Sequence, residues 1–520
     1  MSDSYDYILI GGGLTGCALA GRLSEKHESL RILIIEAGPR SSSHQHPCRQ
    51  GPGGRYLRQL RHLDPGQFRG LQPLGQARWR LELELRRPSP LLQADRDALH
   101  YDADVDPAIH GTSGPIHNMI VARTSPDRKY PLKEPIRSAW KRIGVKYITD
   151  ANDGSPLGLA DFGENWRDGQ RQLASNAYGL SGRRSVSIIT DTLVAKVILQ
   201  EQDGQQVVTG VKVATGEEYH ASKEVIISAG AYRTPQVLML SGIGPAEELA
   251  AHNIPQLFNA PEVGRKFHDH FCYPQWWKLR HPEQGLSMGT PLWQSPAYGM
   301  GVPYDWNVTL QTPSDKLTPA LQADDGQDPQ DHPYLDPTFA HSEVLVIYAP
   351  MSQAVAGFET PMDGTHISTA VLLMAPATRG QITLSDADPA SPPVIDPNYY
   401  SKEVDRAIVR DGIRTVAKLL LDTPEGKEIV DHEVPRPENQ LMRPDSTDEE
   451  IDENVRRGGI TFFHPRGSAA MGQVVDTQLR VKGVKGLRVA DASVLPVPIT
   501  GHYQAVLYAL AEKAADLISG

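Results

Sequence analysis

Tyr7-Ile8-Leu9-Ile10 runs straight into Gly11-Gly12-Gly13-Leu14-Thr15-Gly16, and Cys17-Ala-Leu-Ala-Gly-Arg-Leu23 then spaces small and apolar residues as a helix does. This is a strand, a tight turn and a helix, which commits the chain to an α/β layout with helices packed on a sheet. Glycines let the turn close and let backbone approach a pyrophosphate, which sits on the helix N-terminus. The next apolar strand, Arg31–Ile35, ends at Glu36, twenty residues beyond Gly16. An acid at that place accepts hydrogen bonds from ribose hydroxyls. A glycine pattern alone also occurs in ordinary turns. With strand, helix and acid in register it predicts a nucleotide site made of Gly11, Gly13, Leu14, Thr15, Gly16 and Glu36.

At 520 residues the chain is long enough for more than one sub-domain and a large core. The net charge of −11 argues against nucleic acid and against an anionic membrane surface as partners. No apolar run approaches the ~20 residues that span a bilayer. Three widely spaced cysteines, Cys17, Cys48 and Cys272, suit a reducing compartment better than a disulfide framework. No basic or apolar leader stands before Tyr5, so a cytoplasmic location is expected and the sequon at Asn307 is expected to go unused.

Two further stretches are dense in motif. Val225-Ile-Ile leads into Ser228-Ala-Gly-Ala-Tyr-Arg-Thr234-Pro235 and on to Ser241-Gly242-Ile-Gly244, read as a buried strand turning into a Pro-initiated helix. The last sixty residues hold His464 in FFHPRGSAAMG and His502 in PITGHYQAVLYALAEKAADLI, with LRVADAS between them. Imidazole suits proton transfer because its pKa lies near working pH. Together with the N-terminal turn and its Glu36-Ala-Gly-Pro39 continuation, these motifs resemble the glucose-methanol-choline (GMC) flavoenzymes over roughly residues 5–40 and 100–518.

The resemblance implies FAD rather than NAD, and oxidation of a CH–OH group of a small-molecule alcohol to a carbonyl. His464 matches the histidine that takes the hydroxyl proton, and His502 the partner that donates to the alcohol oxygen. Flavin N5 takes the hydride, and dioxygen or another electron acceptor reoxidises the flavin. The family's adenine contact falls on Val194, and its flavin contact near the ribityl chain on Asp491 and Ala492. Tyr503 and Gln504 open the last helix, whose amides favour negative charge at the flavin's pyrimidine end. Val263-Gly-Arg-Lys266-Phe267-His268-Asp269-His270 resembles the family's VG-x-NL-x-DH, departing at Lys266 and Phe267. His268, Asp269 and His270 lack further ligands at metal-site spacing, so a structural role is expected and no metal.

The predicted fold is α/β: a discontinuous Rossmann-like FAD-binding domain (1–40, 100–160, 185–270, 460–520) with an inserted substrate domain (161–184, 271–459) on an antiparallel sheet. An amphipathic helix is expected over Asp405–Leu421. The competing readings are a flavin-retaining lyase of the same fold and a defective, non-catalytic product. With no leader before Tyr5, the expected substrate is an alcohol of intracellular biosynthesis rather than a secreted enzyme's sugar or aryl alcohol.

Residues 41–99 stand apart. From Arg49 to Ala98 there are ten arginines and no Lys, Ile, Val, Thr, Asn, Met or Cys, and the net charge is +5 against −16 elsewhere. A basic interaction loop, a polyanion-binding insert and a reading-frame artefact compete. Shifting Arg49–Gly66 by one base permits GKALGGGTSANYGTWTRG, which is similar to the family's flavin-proximal GK-x-LGG segment. The same shift over Leu81–Asp97 permits WSW and LLPYFKRTE. Two family-like stretches in the correct order favour the frame artefact. The chain as written should therefore fold poorly or bind FAD weakly, and visible flavin absorbance of the purified protein measures this; full occupancy would overturn it.

Overall fold

The chain opens with β1 (Ser4–Ile10), α1 (Leu14–Lys26) and β2 (Ile32–Ile35), and reaches β3 (Gly158–Asp161). It continues through β4 (Val186–Ile189), β5 (Val194–Gln202), β6 (Gln205–Val213), β7 (Glu218–Ile227) and α2 (Gly230–Leu240). Four strands follow: β8 (Phe271–Leu279), β9 (Trp306–Leu310), β10 (Ser342–Ile347) and β11 (His366–Leu373). After α3 (Glu403–Ala417) and β12 (Val430–Val434) the chain returns through β13 (Leu487–Val489) to α4 (Gln504–Ser519). This computed structural model describes residues 4–39, 99–101, 110–168, 170–299, 301–326, 328–351 and 358–520, so residues 41–98 of the anomalous segment lie outside it.

The first sheet runs β5-β6-β7-β1-β2-β4, with β13 added on β7. Its middle is parallel: β7, β1, β2, β4 and β13 all point one way. Ile8, Leu9, Ile32, Leu33 and Ile34 are fully buried, as expected of a parallel sheet covered on both faces. Burying each such side chain contributes ~1.5–3 kcal/mol. The register aligns Ile10 with Ile35 and Ile227, Ile35 with Ile189, and Ile227 with Val489. One edge therefore gathers the residues that follow these strands: Gly11, Glu36, Ser228 and Ala490. In open α/β sheets, ligands bind outside this carboxyl edge.

The second sheet is antiparallel, in the order β12-β8-β11-β10-β9-β3. Trp276 and Trp277 on β8 are buried, so these aromatics fill core. Together the two sheets give the α/β architecture expected from the sequence. The division of the core is finer than the expected domain limits. Ile136, Ala139 and Trp140, on the helix Lys133–Arg142, pack with the second core beside Leu159 and Phe162. Ala174, Tyr178 and Leu180 pack with the first core against α1. Periodicity marks the apolar face of such a segment but not which core will cover it.

Pro235 lies inside α2 rather than at its start. The helix begins earlier because Gly230 takes φ +77° and its N–H donates to the Asp491 carboxylate at 2.9 Å. Proline has no N–H for the carbonyl four residues back. That carbonyl, on Ala231, accepts from Ser468 Oγ at 2.6 Å instead. The expected helix near 405–421 is α3, continued by a wider turn over Lys418–Asp422. No helix among the described residues is long and apolar enough to cross a membrane.

Glu433 on β12 is buried, and accepts from Gln275 Nε2 at 2.9 Å and from the Met442 N–H. Burial pushes its carboxyl up from 4.5 to about 7. Between those values the folded protein holds a proton that the unfolded chain releases, so stability falls as pH rises through the window. The ionised form then carries a penalty on the order of 3 kcal/mol. Glu433→Gln should raise the apparent melting midpoint at about pH 8, with the gain vanishing near pH 4.5, when thermal unfolding is followed by circular dichroism.

Candidate active site

The aligned edge of the first sheet forms one half of the site. Gly11 takes φ +107°, and a Cβ there would lie 2.4 Å from the Ser228 carbonyl oxygen. A Cβ on Gly16 would lie 2.2 Å from the Gly11 carbonyl oxygen, so the turn packs directly on the helix. Gly13 is different: its Cβ would meet nothing within 4 Å. Leu14 and Thr15 follow it into α1, whose N-terminus has no side-chain cap. Unfilled space at an uncapped helix N-terminus is the setting that anion binding requires.

Glu36 closes this half. Its carboxylate accepts from the Gly12 N–H at 2.7 Å and from the Gly38 N–H at 2.8 Å. Its carbonyl accepts from the Thr192 N–H at 3.0 Å, which brings the start of β5, with buried Val194, beside the acid. Glycine turn, open cradle and acid fit the adenine dinucleotide of FAD. Asp491 and Ala492 lie just beyond β13. Both Asp491 oxygens are already engaged, by the Gly230 N–H, by Thr234 Oγ1 at 2.6 Å and by the Ser493 N–H at 2.8 Å. Asp491 thus ties α2 to the first sheet.

The other half is a cluster of imidazoles. The rings of His464 and His502 lie edge to face with centroids 4.8 Å apart. Phe462 packs edge-on against both, at 5.4 and 5.5 Å, and Tyr503 lies 4.7 Å from His464. Tyr503 precedes α4, Gln504 is its first residue, and Arg466 stacks over the Tyr503 ring at 4.4 Å. His502 Nε2 is 2.7 Å from Glu343 Oε1, and both residues are buried. Asn307 Nδ2 donates to the other Glu343 oxygen at 3.0 Å. The partner nitrogen, His502 Nδ1, is buried and without a hydrogen bond among the described residues. Burial, then the charges of His502 and Arg466, hold His464 well below the ordinary imidazole range. It is therefore neutral at neutral pH.

The main chain around His464 is held by the residues that open β8. Asp269 accepts from the His464 N–H at 2.8 Å, from Thr461 Oγ1 at 2.5 Å and from the Tyr399 hydroxyl at 2.7 Å. Phe463 takes the left-handed φ of +60°, and its N–H donates to Thr461 Oγ1 at 2.8 Å. Such a conformation costs on the order of 1–3 kcal/mol in a non-glycine residue and persists only when its surroundings hold it. His268 exchanges backbone hydrogen bonds with Arg466, and the His270 carbonyl accepts from the Phe462 N–H. His270 Nδ1 is 3.0 Å from His464 Nδ1. Among the described residues no cluster of His, Cys, Asp and Glu could hold a metal ion.

The residues expected from the sequence thus form two groups, the glycine turn with Glu36 and Val194, and the pair His464 and His502 with Tyr503 and Gln504. Glu343 and Asn307 were missed. A glutamate inside the apolar strand SEVLVI was the available signal, because a fully buried acid needs a partner.

Two models described as GMC oxidoreductase match residues 92–272 and 376–511. The GMC-type oxidoreductase acuG of Aspergillus aculeatus is 40% identical over 539 residues, covering 100% of this chain and 99% of its own. Dehydrogenase str4 of Strobilurus tenacellus is 30% identical over 595 residues, covering 100% and 94%. The solved structure of Aspergillus oryzae formate oxidase superposes with a TM-score of 0.81 at 26% identity, covering 100% of this chain and 98% of its own.

Gly13 has φ −71°, which any residue adopts, so Gly13→Leu should leave the melting midpoint of the flavin-free protein unchanged while filling the cradle. Flavin bound per chain, read after gel filtration in excess FAD, should fall at least tenfold.

Proposed function

The chain belongs to the GMC oxidoreductase family, and on that premise we propose that it oxidises a small-molecule alcohol with His464 as base and His502 as donor to the alcohol oxygen. Members of this family are FAD-dependent oxidases and dehydrogenases, and FAD is its cofactor. Bound FAD supplies the hydride acceptor. The Gly11–Gly16 turn, Glu36 and the α1 N-terminus would hold its nucleotide end.

The observation that carries the reading is the pair of buried rings 4.8 Å apart, each engaged through one nitrogen only. His464 accepts the hydroxyl proton through Nε2, the nitrogen that His270 does not touch. Its neutrality suits this step, because a protonated imidazole has no lone pair to offer. His502 faces the same space through Nδ1. As the imidazolium partner of the Glu343 carboxylate, with the second proton taken from solvent before substrate binds, it donates a hydrogen bond through Nδ1–H to the developing alkoxide without transferring that proton, and Glu343 compensates its charge. Asn307 keeps the carboxylate turned toward His502. Phe462 packs against both imidazoles and Tyr503 against His464, and this apolar packing strengthens the electrostatic interactions there.

The substrate is an alcohol, and the relatives differ in what their names state: pyranose dehydrogenases and formate oxidase are among them. We propose the same CH–OH chemistry here, with dioxygen or a second acceptor taking the electrons. A panel of primary and secondary alcohols, assayed with an artificial electron acceptor, tests this. His464→Ala should lower turnover by ~10²–10⁴-fold with flavin retained, and His502→Ala by ~10²–10³-fold. Absence of acceptor reduction with every alcohol, in protein that carries flavin, would overturn the reading in favour of a lyase.

A further inference from the structure

We propose that His270 is a positioning residue that fixes the tautomer of His464, keeping its proton on Nδ1 and its lone pair on Nε2; the inference rests on His464 being the base. Two contacts in series carry it. His270 Nε2 lies 3.1 Å from the Ile499 carbonyl oxygen, and a carbonyl can only accept. Nε2 of His270 is therefore the protonated nitrogen. A neutral imidazole has one N–H, so His270 Nδ1 presents a lone pair. That lone pair lies 3.0 Å from His464 Nδ1, which must then be the donor. His464 Nε2 is left unprotonated.

The relay depends on His270 being neutral. It is completely buried, and burial, followed by the charges of Arg466, His464 and His502, holds it well below the ordinary imidazole range. Tyr503, whose ring centroid lies 5.4 Å away, is also buried. The alternative tautomer of His464 would set two buried lone pairs against each other at 3.0 Å, with both left unsatisfied. An imidazole's protonated nitrogen is commonly set by the bond its other nitrogen makes. In proteases of the Ser-His-Asp type, a triad histidine left in the wrong tautomer keeps its geometry and loses most of its catalysis.

The neighbouring residues explain why the device is built here. Asp269 grips the main-chain N–H of His464, and the next residue orients its ring. Consecutive side chains leaving opposite sides of an extended backbone can hold one target at two places. Ile499 stands three residues before His502, so the segment that supplies the second imidazole also anchors the tautomer of the first.

The test reads the proton directly. The flavin-loaded protein, labelled with ring-15N histidine, is examined by long-range 1H–15N correlation, and His464 is assigned by the signal lost in His464→Gln. The expected result is an Nδ1–H ring with a pyridine-type Nε2. His270→Phe removes the acceptor and should move most of the population to Nε2–H. His270→Gln should restore Nδ1–H, because its amide oxygen accepts from His464 and its amino group reaches the Ile499 carbonyl. An Nε2–H ring in the parent overturns the proposal, whether or not the Phe variant folds. So does an unchanged tautomer in a His270→Phe protein that retains flavin. If the tautomer is as stated but His464→Gln leaves alcohol turnover unchanged, the base assignment fails and the relay stands.

Discussion

The carboxylate of Asp269 is the contact on which the geometry of the histidine cluster depends. A buried ion is costly unless donors replace its water, and here a main-chain N–H and two hydroxyls do so. Burial still pushes its pKa above the ordinary range, a sign that the replacement is incomplete. Two of the three donors come from the turn that ends at His464 and the third from Tyr399, far from them in sequence. Asp269 braces both ends of the turn, at Thr461 and at the His464 N–H, and so helps to keep Phe463 in the left-handed region while His270 orients the His464 ring.

Around that brace the two sheets contribute different things. The parallel sheet brings five strand ends to one level, which places the glycine turn, Glu36 and the Ser228–Gly230 corner side by side. The antiparallel sheet delivers Glu343 and Asn307 from adjacent strands, and through them fixes the ring of His502. The histidines sit where the layers meet. Pro235 and Ser468 show the same economy at smaller scale: the carbonyl that proline leaves unpaired in α2 is where the HPRGSAAMG segment attaches.

Much of this was legible before the structure. Apolar, Ile-rich runs followed within three residues by a glycine identify β1, β2 and β7, because a doubly covered parallel strand is apolar along its buried length. His464 and His502 stand out because of the motifs around them. Glu343 did not, since its partners are distant in sequence. Asn307 read only as an unused sequon, yet its buried amide holds Glu343 in place. His268, Asp269 and His270 read as structural, and two of them turn out to hold His464, one by its backbone and one by its ring. Pro235 read as a helix start because no local rule foresees that Gly230 is capped by a carboxylate 261 residues further along the chain.

The sequence by itself determined the α/β class, the nucleotide turn, the family resemblance and the two histidines, because each rests on local periodicity, on glycine sterics or on a contiguous motif. Tertiary structure alone decided which nitrogen of each histidine is engaged, which acid serves His502, which core covers the segments near 121–180, and how Asp269 holds the turn. Those outcomes depend on hydrogen bonds between residues far apart along the chain, and their geometry exists only once both sheets have packed.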